Sequence, residues 1–212
     1  VTIFSGSLPA TRIAVSAFDP LVLTCLRALL AGLIALVILR SLRVKIPARV
    51  HLPGLLLVMG GVVIGFPLLT ALAVQKISSA HALVYMGMLP LLTALFSVLR
   101  TEERPPARFW FFSLTGSLVI AGYAIRQSGT AVNGGDLMML AAITVCGLGY
   151  AEGARLARAL GSWQVTCWAL VLSLPISLPS ALYWHPDTLD QIGLPAWLGL
   201  GYVTLFSMLI GF

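Results

Sequence analysis

Continuous apolar runs constrain this chain more than any other feature. They recur from end to end, at roughly 1–15, 20–40, 52–74, 80–99, 108–125, 136–157, 163–184 and 194–212. A complete run has about the 20 apolar residues that an α-helix needs to cross a bilayer. Only 9% of the residues are charged, against about 25% in soluble domains, and the runs do not alternate as barrel strands do. The sequence therefore predicts an all-α polytopic membrane protein, and we expect it to be part of a longer chain.

Basic residues mark the ends of the runs, as topology signals do, and form no patch that would indicate nucleic-acid binding. The connectors around the ends of the second, fourth and sixth runs hold nine of them: Arg40, Arg43, Lys45, Arg49, Arg100, Arg104, Arg108, Arg155 and Arg158. The alternate connectors hold three, namely Arg12, Lys76 and Arg126. By the positive-inside rule the richer connectors are cytoplasmic.

Short sequence pairs repeat at a constant distance. Thr24-Cys25 recurs as Thr166-Cys167, and Leu52-Pro53 recurs as Leu194-Pro195, both 142 positions later. One repeat unit then contains five spans, and because five is odd the second unit enters the membrane from the opposite side. The sequence predicts a bundle of two inverted five-helix repeats. We assign residues 1–130 to the first and 131–212 to the second, which is incomplete, so ten helices are expected in the whole protein and about eight here.

Several short motifs occur in a characteristic order along the chain. They are Phe18, Pro20 and Arg27 in the second run, Ala71-Leu72, Ser79-Ala80, Pro90-Leu91, Thr93-Ala94-Leu95, Glu103-Arg104 and Gly135-Asp136. In these the chain resembles the EamA-type transporters of the drug/metabolite transporter superfamily. The resemblance implies two inverted five-helix repeats that move small metabolites, often amino acids, usually outward. His81, Tyr85 and Glu152 depart from the residues expected in this family.

The fourth run combines two polar rings with a proline. His81, Tyr85 and Met88 lie one helical turn apart on a shared face. Tyr85 and Met88 are candidate walls of a substrate cavity; His81 is favoured as an ordinary interfacial ring, with the cavity as the alternative. Pro90, like Pro67 and Pro175 in neighbouring runs, breaks the helical hydrogen bonding and predicts either a hinge beside a cavity or a kink for packing.

Four further residues are candidates for a substrate site. Arg27, inside the second span, either snorkels to the outer surface or faces inward to attract an anionic group. Glu152 in the sixth span is favoured as the partner of Arg155 three residues later, with the edge of a cavity as the alternative. Tyr150 and Cys146 line one stretch of the same span.

These features favour a transporter that exports small metabolites, amino acids or related compounds, by alternating access. The alternatives are efflux of lipophilic cationic drugs on the same fold and, less favoured, a polytopic membrane enzyme. The histidines and cysteines show no spacing typical of catalysis or of a metal site, so we predict neither an enzyme nor a cofactor. The expected partners are the small-molecule substrate and the lipid of the inner (plasma) membrane, with a homodimer left open.

Overall fold

The computed structural model describes residues 6–100, 105–128, 133–183 and 193–210, and within them all regular structure is helical. The elements are α1 (Ser7–Val15), α2 (Pro20–Ser41), α3 (Arg49–Lys76), α4 (Ser79–Arg100), α5 (Ala107–Ser128), α6 (Gly134–Leu160), α7 (Ser162–Tyr183) and α8 (Leu194–Tyr202, continuing as the π-helix Val203–Ile210). The predicted bounds of the second to seventh spans agree with those of α2 to α7 to within three residues.

Helices α2, α3, α4, α6 and α7 are long and apolar enough to cross a membrane. Large apolar side chains on their outer faces, such as those of Leu33, Val37 and Leu99, are exposed. An exposed apolar belt of this kind is stable against lipid and costly against water. The chain is a multi-pass helical membrane protein, as its apolar runs predict.

Two of the long helices are irregular near a proline. In α3 the segment Met59–Gly65 is π-helical and leads directly into Pro67. In α4 the helix Ser79–Met86 ends at Gly87, whose N–H donates to the carbonyl of Val84, and a second helix runs from Leu89 to Arg100. Pro90 stands in the first turn of that second helix, where its missing N–H costs nothing.

Helix α6 packs between α3 and α4 at very short range. It runs antiparallel to α3, since Gly61 lies against the carbonyl of Val145 while Ile77 contacts Gly135 at the other end. It runs parallel to α4, because His81 contacts Asp136 near the start of both helices and a Cβ on Gly147 would lie 3.1 Å from the Cβ of Leu92 further along both. Small residues allow this approach of backbones, which is how helices associate in lipid.

Two other antiparallel pairs complete the packing. Gly32 of α2 lies against Leu170 and Leu174 of α7. Gly6, just before α1, lies against the ring of Tyr202 of α8. The connector between α2 and α3 meets the turn between α6 and α7, since Val44 and Leu160 pack against the same apolar cluster and line the same surface hollow. We call this end of the bundle, which carries Arg40, Arg100 and Arg158, the basic end.

Candidate functional site

A cavity of about 180 Å³ lies between α3, α6, α7 and α8 in the half of the bundle nearer the basic end. Val58 and Val62 of α3, Tyr150 of α6, Val165 of α7 and Met208 of α8 form its walls. The lining is mainly apolar, with polar atoms contributed by Tyr150, Ser162 and Thr166. Small-molecule sites are commonly apolar hollows with a few polar groups.

The predicted residues of α6 lie at this cavity. Tyr150 is half-buried and lines it. Cys146, one turn earlier, is fully buried behind the tyrosine, packs with Phe66 and Ala142, and is hydrogen-bonded to Tyr150. Tyr150 therefore forms part of the wall, and Cys146 supports it from within the core.

His81 lies in the interior and forms an interhelical contact. Its Nε2 is 2.9 Å from Oδ1 of Asp136, and the two residues are only 6% and 0% exposed. Tyr85, one turn further along α4, lies close to Asp136, and its ring centroid is 5.6 Å from that of His81. The expectation of an interfacial histidine is therefore wrong, because the buried carboxylate supplies a partner that makes burial of the ring favourable.

Asp136 itself was not among the predicted site residues. It closes a reciprocal capping box with Asn133: its Oδ2 accepts the N–H of Asn133 at 2.9 Å, and Asn133 Oδ1 accepts the N–H of Asp136 at 3.1 Å. Its other oxygen then faces His81. The spacing Asn133-x-x-Asp136 is a sequence signal for such a cap, but the second role of the aspartate needs α4 beside it.

The prolines and Met88 occupy different environments. Met88 lies in the break of α4 and packs half-buried against the apolar residues around Tyr85. Pro90 and Pro175 are exposed, whereas Pro67 is fully buried. The helix breaks next to Pro90 and α7 continues through Pro175. Hinge motion at these prolines stays a prediction.

Glu152 joins two helices at the basic end. Its Oε1 accepts from Nε of Arg155 at 3.1 Å, which confirms the predicted local ion pair. Its Oε2 lies 3.5 Å from Nε of Arg100 at the end of α4. The carboxylate is buried against Gly54, while both arginines are partly exposed. The next residue along α6, Gly153, lines the cavity, so this ion-pair cluster borders the cavity at its basic end.

Arg27 is buried in the bundle, with 4% of its surface exposed. Its Nη2 is 3.5 Å from Oγ of Ser207 in the π-helical part of α8, and its Nε has no hydrogen-bond partner among the described residues. The snorkelling alternative is therefore wrong. The neighbour Ala28 packs in the same apolar cluster as Val62, Leu170 and Met208, three residues of the cavity wall.

The predicted site residues thus lie at different levels along the axis of the bundle. His81 and Tyr85 meet at Asp136 near the end opposite the basic one. Tyr150 lines the cavity, and Glu152 borders it at the basic end. Arg27 approaches the same space from α2, on the side away from Glu152.

Comparisons with known proteins show which family the chain resembles. The profile of the EamA-like transporter family matches residues 1–125, more than half of the chain. Over 212 residues the chain is 60% identical to a Bacillus subtilis (strain 168) protein named "Uncharacterized transporter YdeK", covering 100% of this chain and 74% of that protein. No solved structure matches the chain. The chain belongs to the EamA-like transporter family.

Proposed function

We propose that this membrane transporter exports small metabolites, amino acids or related compounds, across the cell membrane. Membership of the family supports transport, and the cavity supports a small cargo. Its volume of about 180 Å³ lies below the range of about 300–1,000 Å³ typical of sites for drug-sized ligands. The name of the similar protein, a transporter, favours transport over catalysis.

The observation that carries an alternating-access mechanism is a pair of equivalent helix contacts. Gly149 of α6 lies against Gly61 and Val62 of α3, and Gly6 lies against Tyr202 of α8. Gly149 stands 143 positions after Gly6, and Tyr202 stands 141 positions after Gly61. Both offsets lie within one residue of the repeat distance of 142, which supports a correspondence between the contact of α3 with α6 and that of α8 with α1.

The distortions of the helices follow the same relationship. The π-helical segment Met59–Gly65 of α3 corresponds, 142 positions later, to residues 201–207. Residues Val203–Ile210 of α8 are π-helical. Two irregular helices at equivalent places support an inverted repeat of 1–130 and 131–212, in which opposed halves exchange outward-open and inward-open forms.

Two polar contacts are suited to act as alternate gates. His81 with Asp136, and Arg100 with Glu152, each join α4 to α6, one pair near each end of the two helices. In our proposal one contact opens while the other stays closed, and the break at Gly87–Met88 lets the halves of α4 move separately. Such gating by separate parts of broken helices is a recurring device in transporters.

The alternative cargo, a lipophilic cation, generally calls for an acidic residue in the cavity. Among the residues that line the cavity described above, none is Asp or Glu. Both acids that are buried in the described part of the chain, Asp136 and Glu152, are already paired with His81 and with arginines. These observations favour a metabolite over a drug.

The test is counterflow with the full-length protein in proteoliposomes. Vesicles preloaded with an unlabelled amino acid are expected to accumulate the same amino acid in labelled form. The panel of compounds tested contains amino acids and, as the lipophilic cation, tetraphenylphosphonium. Ala157→Phe is expected to abolish accumulation, because Ala157 lines the cavity and a phenyl ring would fill it. The molar mass in detergent would test the homodimer.

The matched control is Ala141→Phe, which adds the same ring to an exposed position of the same helix. It is expected to transport as the unchanged protein does. Accumulation of tetraphenylphosphonium and of no amino acid would mean that the cargo is a lipophilic cation and not a metabolite. Equal transport by Ala157→Phe and Ala141→Phe would mean that the substrate does not bind in this cavity.

A further inference from the structure

The buried guanidinium of Arg27 lacks a carboxylate within the described parts of the chain. The helices α1, α2, α3, α7 and α8 contain no Asp or Glu. Of the described acids, Asp19 is exposed at the start of α2, Asp136 pairs with His81, and Glu152 pairs with arginines. A buried charge without a counter-ion costs several kcal/mol by order of magnitude. An arrangement of this kind is typical of a site that receives its counter-ion as a ligand.

A second polar group without a partner lies at the same level of the bundle. Helices α2 and α7 are antiparallel, with Gly32 against Leu174 and Cys25 close to Ser180. Arg27 lies between Cys25 and Gly32 of α2, and Ser177 lies between Leu174 and Ser180 of α7. The two residues are therefore at a similar level of the bundle. The hydroxyl of Ser177 is buried and has no hydrogen-bond partner among the described residues. The Oγ of Ser207, which accepts from Nη2 of Arg27 at 3.5 Å, is a neutral group and supplies no counter-ion.

The position of Arg27 relative to the cavity defines how a ligand would lie. Ser207, which Arg27 contacts, is followed by Met208 of the cavity wall. Ala28 and Ala31 pack against the same wall. The guanidinium therefore lies beside the part of the apolar wall that Met208 forms. A molecule with an anionic head and a small apolar body would satisfy both parts.

We infer that Arg27 binds the carboxylate of the transported substrate, whose apolar part occupies the cavity bordered by Tyr150 and Met208. Guanidinium and carboxylate form two parallel hydrogen bonds with matching geometry. A substrate with one carboxylate fits better than a substrate with two, because the other basic residues of α1, α2 and α3 lie at or near the ends of their helices: Arg12, Arg40, Arg49 and Lys76. The inference rests on the proposed export of small metabolites and names their chemical class, organic monocarboxylates.

The test compares an acid with its matched amide in counterflow with the full-length protein. The probes are labelled L-leucine with L-leucinamide, and labelled L-phenylalanine with L-phenylalaninamide. Arg27→Gln is expected to lower accumulation of the acids by about 10- to 100-fold, the size of a charge-assisted hydrogen-bonding contact. The same variant is expected to raise the ratio of amide to acid transport, since the amide can pair with the introduced glutamine. Arg27→Lys is expected to accumulate the acids at a level between those of the unchanged protein and Arg27→Gln.

Arg40→Gln is the control, because it removes an exposed guanidinium from the same helix and is expected to leave the ratio unchanged. Monodisperse elution in detergent establishes that each variant is folded. If Arg27→Gln reduces acid and amide equally, the arginine does not recognise the carboxylate, and the inference is overturned while transport stands. If unchanged protein moves none of the probes, the proposed function and this inference fail together.

Discussion

His81 and Asp136 are 55 residues apart in the chain, yet Nε2 of the one lies 2.9 Å from Oδ1 of the other in the interior of the bundle. The contact joins the first turn of α4 to the first turn of α6. Asp136 also caps α6 through Asn133, so one carboxylate both starts a helix and fixes it to its neighbour. Loss of that carboxylate therefore has two separable consequences.

Asp136→Ala is expected to lower stability by more than the loss of a cap alone. A lost N-cap interaction costs about 0.5–2 kcal/mol, and leaving the buried His81 ring without its partner adds about 1–3 kcal/mol. The thermal unfolding midpoint in detergent measures the sum. In the background of His81→Ala the same substitution should cost less, because the contact with His81 is then already absent.

Asp19→Ala is the matched control for that prediction. Asp19 caps α2 by accepting the N–H of Leu21 at 2.8 Å, but it is exposed and belongs only to the cap. Its removal is expected to cost about 1 kcal/mol. Equal losses for Asp136→Ala and Asp19→Ala would mean that the contact with His81 contributes nothing to stability.

Removing the carboxylate of the ion-pair cluster at Glu152 should change stability less than removing its two arginines. Glu152→Gln removes the buried charge and leaves two arginines that already reach solvent, so a change within about 1 kcal/mol is expected. The double variant Arg100→Gln with Arg155→Gln leaves a buried carboxylate unpaired, which costs about 3–5 kcal/mol. Unfolding midpoints at neutral pH compare the two.

Arg40→Gln with Arg49→Gln controls for the lost net charge, since both of these arginines are exposed. This double variant is expected to unfold close to the unchanged protein. If Glu152→Gln proved the more damaging change, the carboxylate would be needed for its hydrogen bonds rather than tolerated because of its arginines.

Gly147 is expected to be intolerant of a side chain. A Cβ there would lie 3.1 Å from Cβ of Leu92 and 3.2 Å from the backbone nitrogen of Thr93, so α4 would have to move. Overpacking of this kind costs about 1–3 kcal/mol, and Gly147→Ala should lower the unfolding midpoint accordingly. Gly116→Ala on α5 meets nothing within 4 Å. It should be neutral or stabilise by up to about 1 kcal/mol through helix propensity; similar losses at both sites would contradict the close packing of α4 on α6.

The orientation of the bundle can be tested with single cysteines. In a background with Cys25, Cys146 and Cys167 replaced by alanine, Ala48→Cys places an exposed thiol at the basic end and Ser16→Cys places one at the opposite end. The positive-inside rule predicts that a membrane-impermeant maleimide labels intact cells at Ser16→Cys and not at Ala48→Cys. Labelling of both positions after lysis is the control, and the reverse pattern in intact cells would invert the topology.

The sequence by itself determined the number, length and class of the helices. Apolar runs of about 20 residues must be helical in lipid, because each helix satisfies its backbone hydrogen bonds internally. The caps at Asp19 and Asn133, and the break near Pro90, are likewise local, since the interacting groups are close in the chain. The bounds of α2 to α7 therefore followed from the sequence.

Only the tertiary structure decided which polar residues are buried together. Arg27 could as well have snorkelled and His81 could have stayed at the interface, because a single helix offers either environment to such side chains. The position of Asp136 beside His81, and of α8 beside Arg27, resolves each case. The physical reason is that burial of a polar group depends on the partner it meets, and that partner comes from a distant part of the chain.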